Sequence, residues 1–217
     1  MAGRTIVVGD IHGCFDELQD LLATIAFAGD DRLICVGDLI VKGPKNREVL
    51  DMFGADERCA SVLGNHDRAL VRFWRGEKAS LKEAQQKCRA ELEAGGRRPR
   101  YEAFLGSLPL MIDLGASVVV HAGVRPGVPL AAQGIDDLTE LRTLGADRTA
   151  REGVPWYEQY DGEKLVLFGH WPAEKVRCGR RAIGLDTGCV YGGRLTAYVV
   201  ETGEMKSVQA RHAYDAP

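Results

Sequence analysis

Short apolar runs that end in a glycine beside a metal-binding residue type are the most constraining feature of this 217-residue chain. Four of the five histidines and three aspartates lie at the ends of such runs, in the segments Gly9-Asp10-Ile11-His12-Gly13, Gly37-Asp38, Gly64-Asn65-His66-Asp67, His121-Ala122-Gly123 and Phe168-Gly169-His170. In open α/β sheets, reactive groups gather outside the carboxyl ends of strands, where glycine permits a sharp turn. Imidazole, carboxylate and amide oxygen together suit borderline divalent cations. The pattern predicts a two-metal hydrolase.

Each of these residues also has an ordinary structural explanation. A single histidine after an apolar run is most often a core or surface residue. Asp10 or Asp38 alone could cap the N-terminus of a helix. Repetition of the pattern in separate runs, each with its own turn residue, favours convergent ligands instead. The fifth histidine, His212, lies in a polar tail and is not expected to take part.

The distribution of apolar residues predicts the fold. Residues 5–8, 33–36 and 59–63 form apolar runs, each followed by a turn and by apolar residues at helical spacing, which indicates parallel strands covered by helices. The second half favours a more antiparallel sheet, with strand-like runs at residues 110–112, 117–120, 165–168, 182–185 and 195–200. We therefore expect an α/β protein in which a two-sheet β-sandwich is flanked by helices, with residues 1–217 forming a single domain.

Composition narrows the classes of protein that fit. No apolar run approaches the roughly 18 residues that would span a bilayer. The six cysteines contain no C-x-x-C pair, which favours reduced thiols over a disulfide framework. We therefore expect a cytoplasmic protein without a membrane partner. The net charge of −3 argues against stable nucleic-acid binding, and the sequence leaves the oligomeric state open.

A basic segment interrupts this acidic balance. Residues 72–102 contain nine Lys or Arg against five Glu. They include a charged helix predicted over residues 78–94 and the cluster Arg97, Arg98 and Arg100, ahead of a short helix from Tyr101. The cluster could face a polyphosphate, although charge runs are usually solvated helix faces. Five aromatic residues could stack on nucleobases or belong to the core: Trp74, Tyr101, Trp156, Tyr157 and Trp171.

Taken together, the motifs resemble those of the phosphoprotein-phosphatase branch of the calcineurin-like metallophosphoesterases, over residues 5–198. Within that branch the chain is most similar to symmetrical diadenosine tetraphosphatases and to related bacterial and protist phosphatases. The closer similarity depends on Gly43-Pro44, on Phe168-Gly169-His170-Trp171, and on Leu185-Asp186-Thr187-Gly188-Cys189 followed by Gly192-Gly193-Arg194-Leu195-Thr196. The resemblance implies a metallophosphatase-like fold.

The resemblance also implies how the ligands divide between two ions. They form two sets around a shared carboxylate: Asp10 and His12 for the first ion, Asn65, His121 and His170 for the second, and Asp38 as the bridge. Mn²⁺ is the expected metal, with Co²⁺, Fe²⁺ or Zn²⁺ as alternatives. Attack on phosphorus would come from a hydroxide that bridges the ions.

By the same resemblance, His66 would donate a proton to the leaving oxygen, and Asp67 could orient it. Protein phosphatases of this branch carry Asp-Arg where this chain has Val41-Lys42, so their orienting carboxylate is missing here. That loss matters least for a good leaving group such as a nucleoside diphosphate, which favours a nucleotide substrate.

Three basic residues are candidates for binding the substrate phosphates: Lys42, Arg125 and Arg142. Lysine at position 42 keeps the positive charge of arginine but gives up its bidentate fork. The segment Asp186-Thr187-Gly188 is predicted only to form a turn in which the aspartate accepts backbone amides.

The expected reaction is symmetrical cleavage of diadenosine tetraphosphate to two ADP, with other nucleoside polyphosphates or capped RNA ends as further substrates. The first alternative is a protein Ser/Thr or Tyr phosphatase, or a broad-specificity phosphomonoesterase, on the same scaffold. A metal-bound scaffold without turnover is a second alternative, and a nuclease is disfavoured because the basic track is short.

Overall fold

The computed structural model describes residues 3–216, which form two five-stranded sheets with helices around them. The strands are β1 Thr5–Val8, β2 Arg32–Cys35, β3 Cys59–Ser61, β4 Met111–Asp113, β5 Ser117–Val120, β6 Thr143–Leu144, β7 Val154–Pro155, β8 Leu165–Phe168, β9 Arg177–Cys178, β10 Ala182–Gly184, β11 Arg194–Val199 and β12 Met205–Gln209. The helices are α1 Phe15–Thr24, α2 Asn46–Ala55, α3 Asn65–Trp74, α4 Glu83–Glu93, α5 Arg98–Ser107, α6 Ile135–Glu140 and α7 Trp156–Gln159. The predicted α/β architecture is confirmed.

The two sheets form the predicted sandwich. The first has the strand order β12-β11-β1-β2-β3, and the second has the order β4-β5-β8-β10-β9. Their facing sides share an apolar cluster drawn from both sheets or their strand ends, which contains Val7, Ile34, Val36, Val62, Val119, Leu167 and Leu185. All seven of these residues are buried, so this layer fixes the two sheets relative to each other.

The expectation of a more antiparallel second half holds for the outer strands but not for the centre of the second sheet. β5, β8 and β10 are parallel neighbours, and only the outer pairs β4·β5 and β10·β9 are antiparallel. β11 and β12 join the first sheet, where β11 pairs antiparallel with β1. The connection between β5 and β8 contains helices α6 and α7, and crossovers of this length permit parallel pairing. A short apolar run predicts a strand, but it does not indicate which other strand will pair with it in the sheet.

Helix α1 shows why the first half was easier to predict. It buries Leu18, Leu21 and Leu22 on one face, the i, i+3, i+4 pattern of an amphipathic helix. By contrast, α4 begins at Glu83 and not at the expected residue 78. The side chain of Gln85 accepts a hydrogen bond from the Lys82 backbone N–H at 3.0 Å, and this capping interaction fixes the start of the helix.

The five aromatic candidates for base stacking are all buried, which corrects that expectation. Trp74 and Tyr101 belong to the core beneath α1–α5, and the other three belong to a core beside the second sheet: Trp156, Tyr157 and Trp171. Burying such large rings contributes more to packing than to recognition. All six cysteines are free thiols. Within residues 3–216, no helix has the length and apolar content needed to cross a membrane.

Candidate metal centre

The carboxyl ends of five strands bring the predicted ligands together at one edge of the sandwich. β1, β2 and β3 are parallel neighbours in the first sheet, and β5 and β8 are parallel neighbours in the second. The residues that follow these strands are Asp10 and His12, Asp38, Asn65 and His66, His121, and His170. Since all the ends face one edge, residues up to 160 positions apart in the chain are in contact there.

Two sets of metal-binding side chains meet at Asp38. The ligand atoms of His12, Asp38 and His66 lie within 4.8 Å of one another, as do those of Asp10, Asp38 and His121. Asp38 Oδ2 lies 3.5 Å from Nε2 of both His12 and His121. Asp38 therefore lies at the centre of the cluster, and the bridging role that the family resemblance implies for it stays a prediction.

The second ring nitrogen of two histidines identifies the atoms that are free to bind a cation. His12 Nδ1 lies 3.0 Å from the Ile40 carbonyl oxygen, and His121 Nδ1 lies 2.9 Å from that of Val36. A carbonyl can only accept, so in each neutral ring Nδ1 carries the proton and Nε2 keeps its lone pair. Histidine ligands of metals commonly have this arrangement.

His170 and Asn65 complete the cluster of acceptors. Asn65 Oδ1 lies 3.0 Å from His121 Nε2 and 2.9 Å from His170 Nδ1. The backbone N–H of His170 donates to the carboxylate of Asp10 at 3.1 Å, whereas His170 Nε2 is buried without a hydrogen-bond partner among residues 3–216. These nitrogen and oxygen lone pairs point toward one another and have too few hydrogen-bond donors to satisfy them, so a bound cation would stabilise them. The residues present therefore fit the divalent metal ions of a phosphoesterase.

Burial dominates the electrostatics of the cluster. It raises the pKa of Asp10 well above its ordinary value, with further contributions from Asp186 and Asp38, and it raises the pKa of Asp38 to about 7 and that of Asp186 to about 6. Burial lowers the pKa of His121 to about 4 and that of the other three site histidines well below the ordinary value. The imidazoles are therefore neutral near pH 7.

The backbone is strained at the same residues. Of the six non-glycine residues with positive φ in the described chain, five lie at this site: His12, Asp38, Val41, Lys42 and His170. Val41, at φ 78°, is the least expected of them because β-branched residues rarely adopt this conformation. Its N–H donates to Asn46 Oδ1 at 2.8 Å, which holds the loop. Strain of this kind costs about 1–3 kcal/mol per residue and clusters at functional sites.

A cavity of about 380 Å³ opens over the cluster and is lined by several basic side chains. Two of the three predicted phosphate contacts, Lys42 and Arg142, line it, and Lys82 and Arg151 do so as well. Arg142 Nη1 donates to the Thr149 carbonyl at 2.9 Å, and in the described part of the chain its buried Nε has no hydrogen-bond partner.

Arg125 occupies a different environment. Its guanidinium forms a bidentate ion pair with Asp137, at 2.7 and 2.9 Å, and it is not among the residues that line the cavity. The basic cluster is also engaged elsewhere, because Arg98 pairs with Glu102 and Arg100 pairs with Asp51. The expected polyphosphate surface of this cluster is therefore corrected: of the basic residues in 72–102, only Lys82 lines the cavity.

Asp67 lies next to His66 but bonds to other groups. Its carboxylate accepts the backbone N–H groups of Leu39 at 3.3 Å, Ile40 at 3.4 Å and Gly64 at 3.2 Å. His66 Nδ1 is buried without a hydrogen-bond partner in the part of the chain that the structure describes. Asp67 thus holds the loops after β2 and β3 in place, and it does not orient the imidazole through a hydrogen bond.

The sequence interpretation missed several residues of the cavity. Asp186 forms the predicted turn bond, with Gly188 N donating to it at 3.0 Å, but its carboxylate also lines the cavity and lies near Asp10. Arg151 and Tyr191 belong to no motif that was singled out. Lys82 lies in the basic segment. Nothing in its sequence context indicated that Lys82 would face the site and that the arginine cluster would not.

The fold and site are those of a metal-dependent phosphoesterase. Residues 3–204 match the calcineurin-like phosphoesterase family, and the chain belongs to that family. It is 30% identical to a symmetrical bis(5'-nucleosyl)-tetraphosphatase of Vibrio campbellii, with 95% of this chain and 98% of that one covered. It is equally 30% identical to an asymmetrical bis(5'-nucleosyl)-tetraphosphatase of Halalkalibacterium halodurans, with 94% and 93% covered.

Among solved structures, the chain is similar to a crystal structure provisionally assigned as a diadenosine tetraphosphatase. The TM-score is 0.82 and the identity 35%, with 97% of this chain and 95% of that one covered. The protein is therefore a metallophosphoesterase, a hydrolase that uses divalent metal ions.

Proposed function

We propose that this metallophosphoesterase hydrolyses dinucleoside tetraphosphates, and that it cleaves diadenosine tetraphosphate symmetrically to two ADP with two divalent ions, Mn²⁺ in the first place. The observation that carries the proposal is the set of four basic side chains, Lys42, Lys82, Arg142 and Arg151, around the cavity of the metal centre. A phosphomonoester needs fewer cations than this, whereas a four-phosphate chain carries charge along its whole length.

The relatives support the substrate class. Both the symmetrical and the asymmetrical bis(5'-nucleosyl)-tetraphosphatases match almost the whole chain at 30% identity. The symmetrical reaction is our choice because the sequence resembles that group at positions 168–171 and 185–196. Treating residues 1–217 as one domain is part of the same proposal.

Each ligand has a task in this reaction. Asp10 and His12 would hold the first ion, Asp38 would bridge, and the second ion would be held by Asn65, His121 and His170. When bound, the two ions activate a water molecule and stabilise the charge that develops on the phosphoryl oxygens. His66 lies beside Asp38 and His12, and its imidazole would donate a proton to the leaving oxygen.

The basic residues would position the polyphosphate. Lys42 is held by a 2.7 Å hydrogen bond from its Nζ to the Tyr191 hydroxyl, and Arg142 lines the cavity with a guanidinium whose buried Nε has no hydrogen-bond partner within residues 3–216. Arg125 was predicted to join them, and its ion pair with Asp137 gives it a structural partner instead. With Val41-Lys42 in place of an orienting carboxylate, a nucleoside diphosphate is a more suitable leaving group than an alkoxide.

The test is chromatographic product analysis with Mn²⁺-loaded enzyme and diadenosine tetraphosphate, with a phosphoserine peptide in a parallel reaction. We expect ADP as the sole nucleotide product and slower release of phosphate from the peptide. Cleavage of the peptide with the dinucleotide left intact would overturn the proposal and favour the protein phosphatase alternative.

Asymmetrical cleavage to AMP and ATP is the second candidate, and the relatives named for that reaction support it. The same product analysis separates the two. Equal amounts of AMP and ATP would support the same substrate class and would show that the attack occurs at a different phosphorus atom from the one proposed.

A further inference from the structure

We propose that a second pocket, whose lining includes Arg151, Pro172, Glu174, Gly188 and Tyr191 and which is called here the Tyr191 pocket, binds one nucleoside of the substrate. This inference rests on the proposed function, because it assigns a place to the nucleoside of the dinucleotide. The pocket has a volume of about 260 Å³. It shares Arg151, Pro172 and Tyr191 with the cavity above the metal centre, so a ligand can extend from one space into the other.

The pocket combines an aromatic ring with a glycine that leaves space beside it. Tyr191 and Pro172 both lie close to Gly188, because a Cβ on Gly188 would lie 3.8 Å from Tyr191 Cδ2 and 3.9 Å from Pro172 Cβ, in ordinary contact with both. Since Gly188 has no side chain, this space next to the Tyr191 ring stays open. An aromatic ring beside open space suits a nucleobase, because every base has a face that can stack on it.

Hydrogen bonds hold the Tyr191 ring in position before any ligand binds. Tyr191 N donates to the Gly188 carbonyl at 2.9 Å, and Gly188 N donates to Asp186 Oδ1 at 3.0 Å. Lys42 Nζ donates to the tyrosine hydroxyl at 2.7 Å and lies 5.1 Å from the ring centroid. A preorganised ring loses little conformational entropy on binding, and Lys42 links the pocket directly to the phosphate-binding residues.

Arg151 marks the junction between the two spaces. Its side chain is exposed, and it has no ion-pair partner among residues 3–216. It lines both cavities, so its guanidinium can bind the phosphate that joins the nucleoside to the rest of the chain. The aromatic residues that the sequence suggested for stacking are buried, whereas the Tyr191 ring is half-buried and borders an open pocket.

The test compares binding of ADP and of inorganic pyrophosphate, by titration calorimetry of Mn²⁺-loaded full-length enzyme. We expect Tyr191→Ala to weaken ADP about tenfold through loss of the stack and to weaken pyrophosphate much less. Tyr191→Phe keeps the ring and removes the Lys42 hydrogen bond, so it should retain most of the ADP affinity. Arg180→Ala removes an exposed arginine outside both cavities and serves as the matched control for Arg151→Ala, which should weaken ADP. Circular dichroism confirms that each variant is folded.

Two results would overturn the inference: an equal effect of Tyr191→Ala on both ligands, or a loss with Tyr191→Phe as large as with Tyr191→Ala. The readout is separate from the proposed function. If ADP depends selectively on Tyr191 but the wild-type enzyme does not cleave diadenosine tetraphosphate, the pocket stands and the proposed reaction fails. If the wild-type enzyme cleaves diadenosine tetraphosphate but Tyr191→Ala leaves the preference for ADP over pyrophosphate unchanged, the proposed reaction stands and the nucleoside pocket is wrong.

Discussion

Asp38 lies where the two sets of ligands meet, and its environment suits a bound cation better than an isolated carboxylate. The side chain is 2% exposed, and burial raises its pKa to about 7. One oxygen accepts the backbone N–H of His66 at 2.9 Å, while the other faces the Nε2 lone pairs of His12 and His121. Without a cation, ionisation of this group opposes folding.

We therefore predict that Asp38→Asn stabilises the metal-free protein at about pH 8, by at least the ~1.4 kcal/mol that one pKa unit represents. The folded pKa lies above the ordinary value of 3.8. The carboxylate therefore destabilises increasingly as the pH rises between these two values, and the full gain from its removal appears above pH 7. Urea unfolding in excess chelator measures it. The gain in stability should vanish near pH 4, where Asp38 is protonated in the folded protein. Equal stability of the two proteins at about pH 8 would contradict the prediction. With Mn²⁺, the variant should lose the stabilisation that wild type gains.

At the level of the elements, the turn after each strand decides whether the site can form. Gly169 follows β8, and a Cβ at this position would overlap Asp10 Oδ1, which is bonded to the neighbouring backbone N–H of His170. Close approach of backbone to a carboxylate is possible here only without a side chain. A glycine within two residues of each ligand was the signal by which the sequence located these turns.

Gly169→Ala should consequently displace Asp10 and reduce kcat/KM by more than about tenfold, since misplacement of a site group by about 1 Å has effects larger than this. Gly145→Ala is the matched control, because its Cβ would meet nothing within 4 Å and its φ is not positive. Both variants are assayed at saturating Mn²⁺ after their melting temperatures have been measured. Equal activity of the two variants would show that Asp10 can shift without consequence.

The sequence predicted the features that depend on neighbouring residues and failed to predict those that depend on distant segments. Strand ends, turn glycines and amphipathic helices are local features, and the ligands they place, from Asp10 to His170, meet in the structure. Sheet partners depend on distant segments, so the placement of β11 and β12 beside β1 could not be deduced from their own residues. Arg151 and Tyr191 lie in loops without a recognisable pattern, and only the tertiary fold brings them to the cavity.

On the scale of the whole molecule, net charge and local charge have opposite signs. The chain carries a net charge of −3, yet the cavity is bordered by Lys42, Lys82, Arg142 and Arg151. An anionic substrate is repelled weakly at a distance and attracted close to the site, within roughly the 8–10 Å over which salt at physiological concentration screens charge. Local charge should therefore control the approach of a polyphosphate.

We predict that kcat/KM for diadenosine tetraphosphate falls severalfold as KCl is raised from about 0.05 to 0.3 M, because screening weakens the attraction. Lys82→Ala should flatten this dependence, since Lys82 is exposed and lines the cavity. Arg32→Ala removes the same charge from an exposed side chain at the opposite, amino-terminal end of β2, and should leave the slope as in wild type. If both variants flattened the slope equally, net charge would control the approach of the substrate. A flat wild-type profile would instead show that contacts inside the cavity, and not attraction along the way, set kcat/KM.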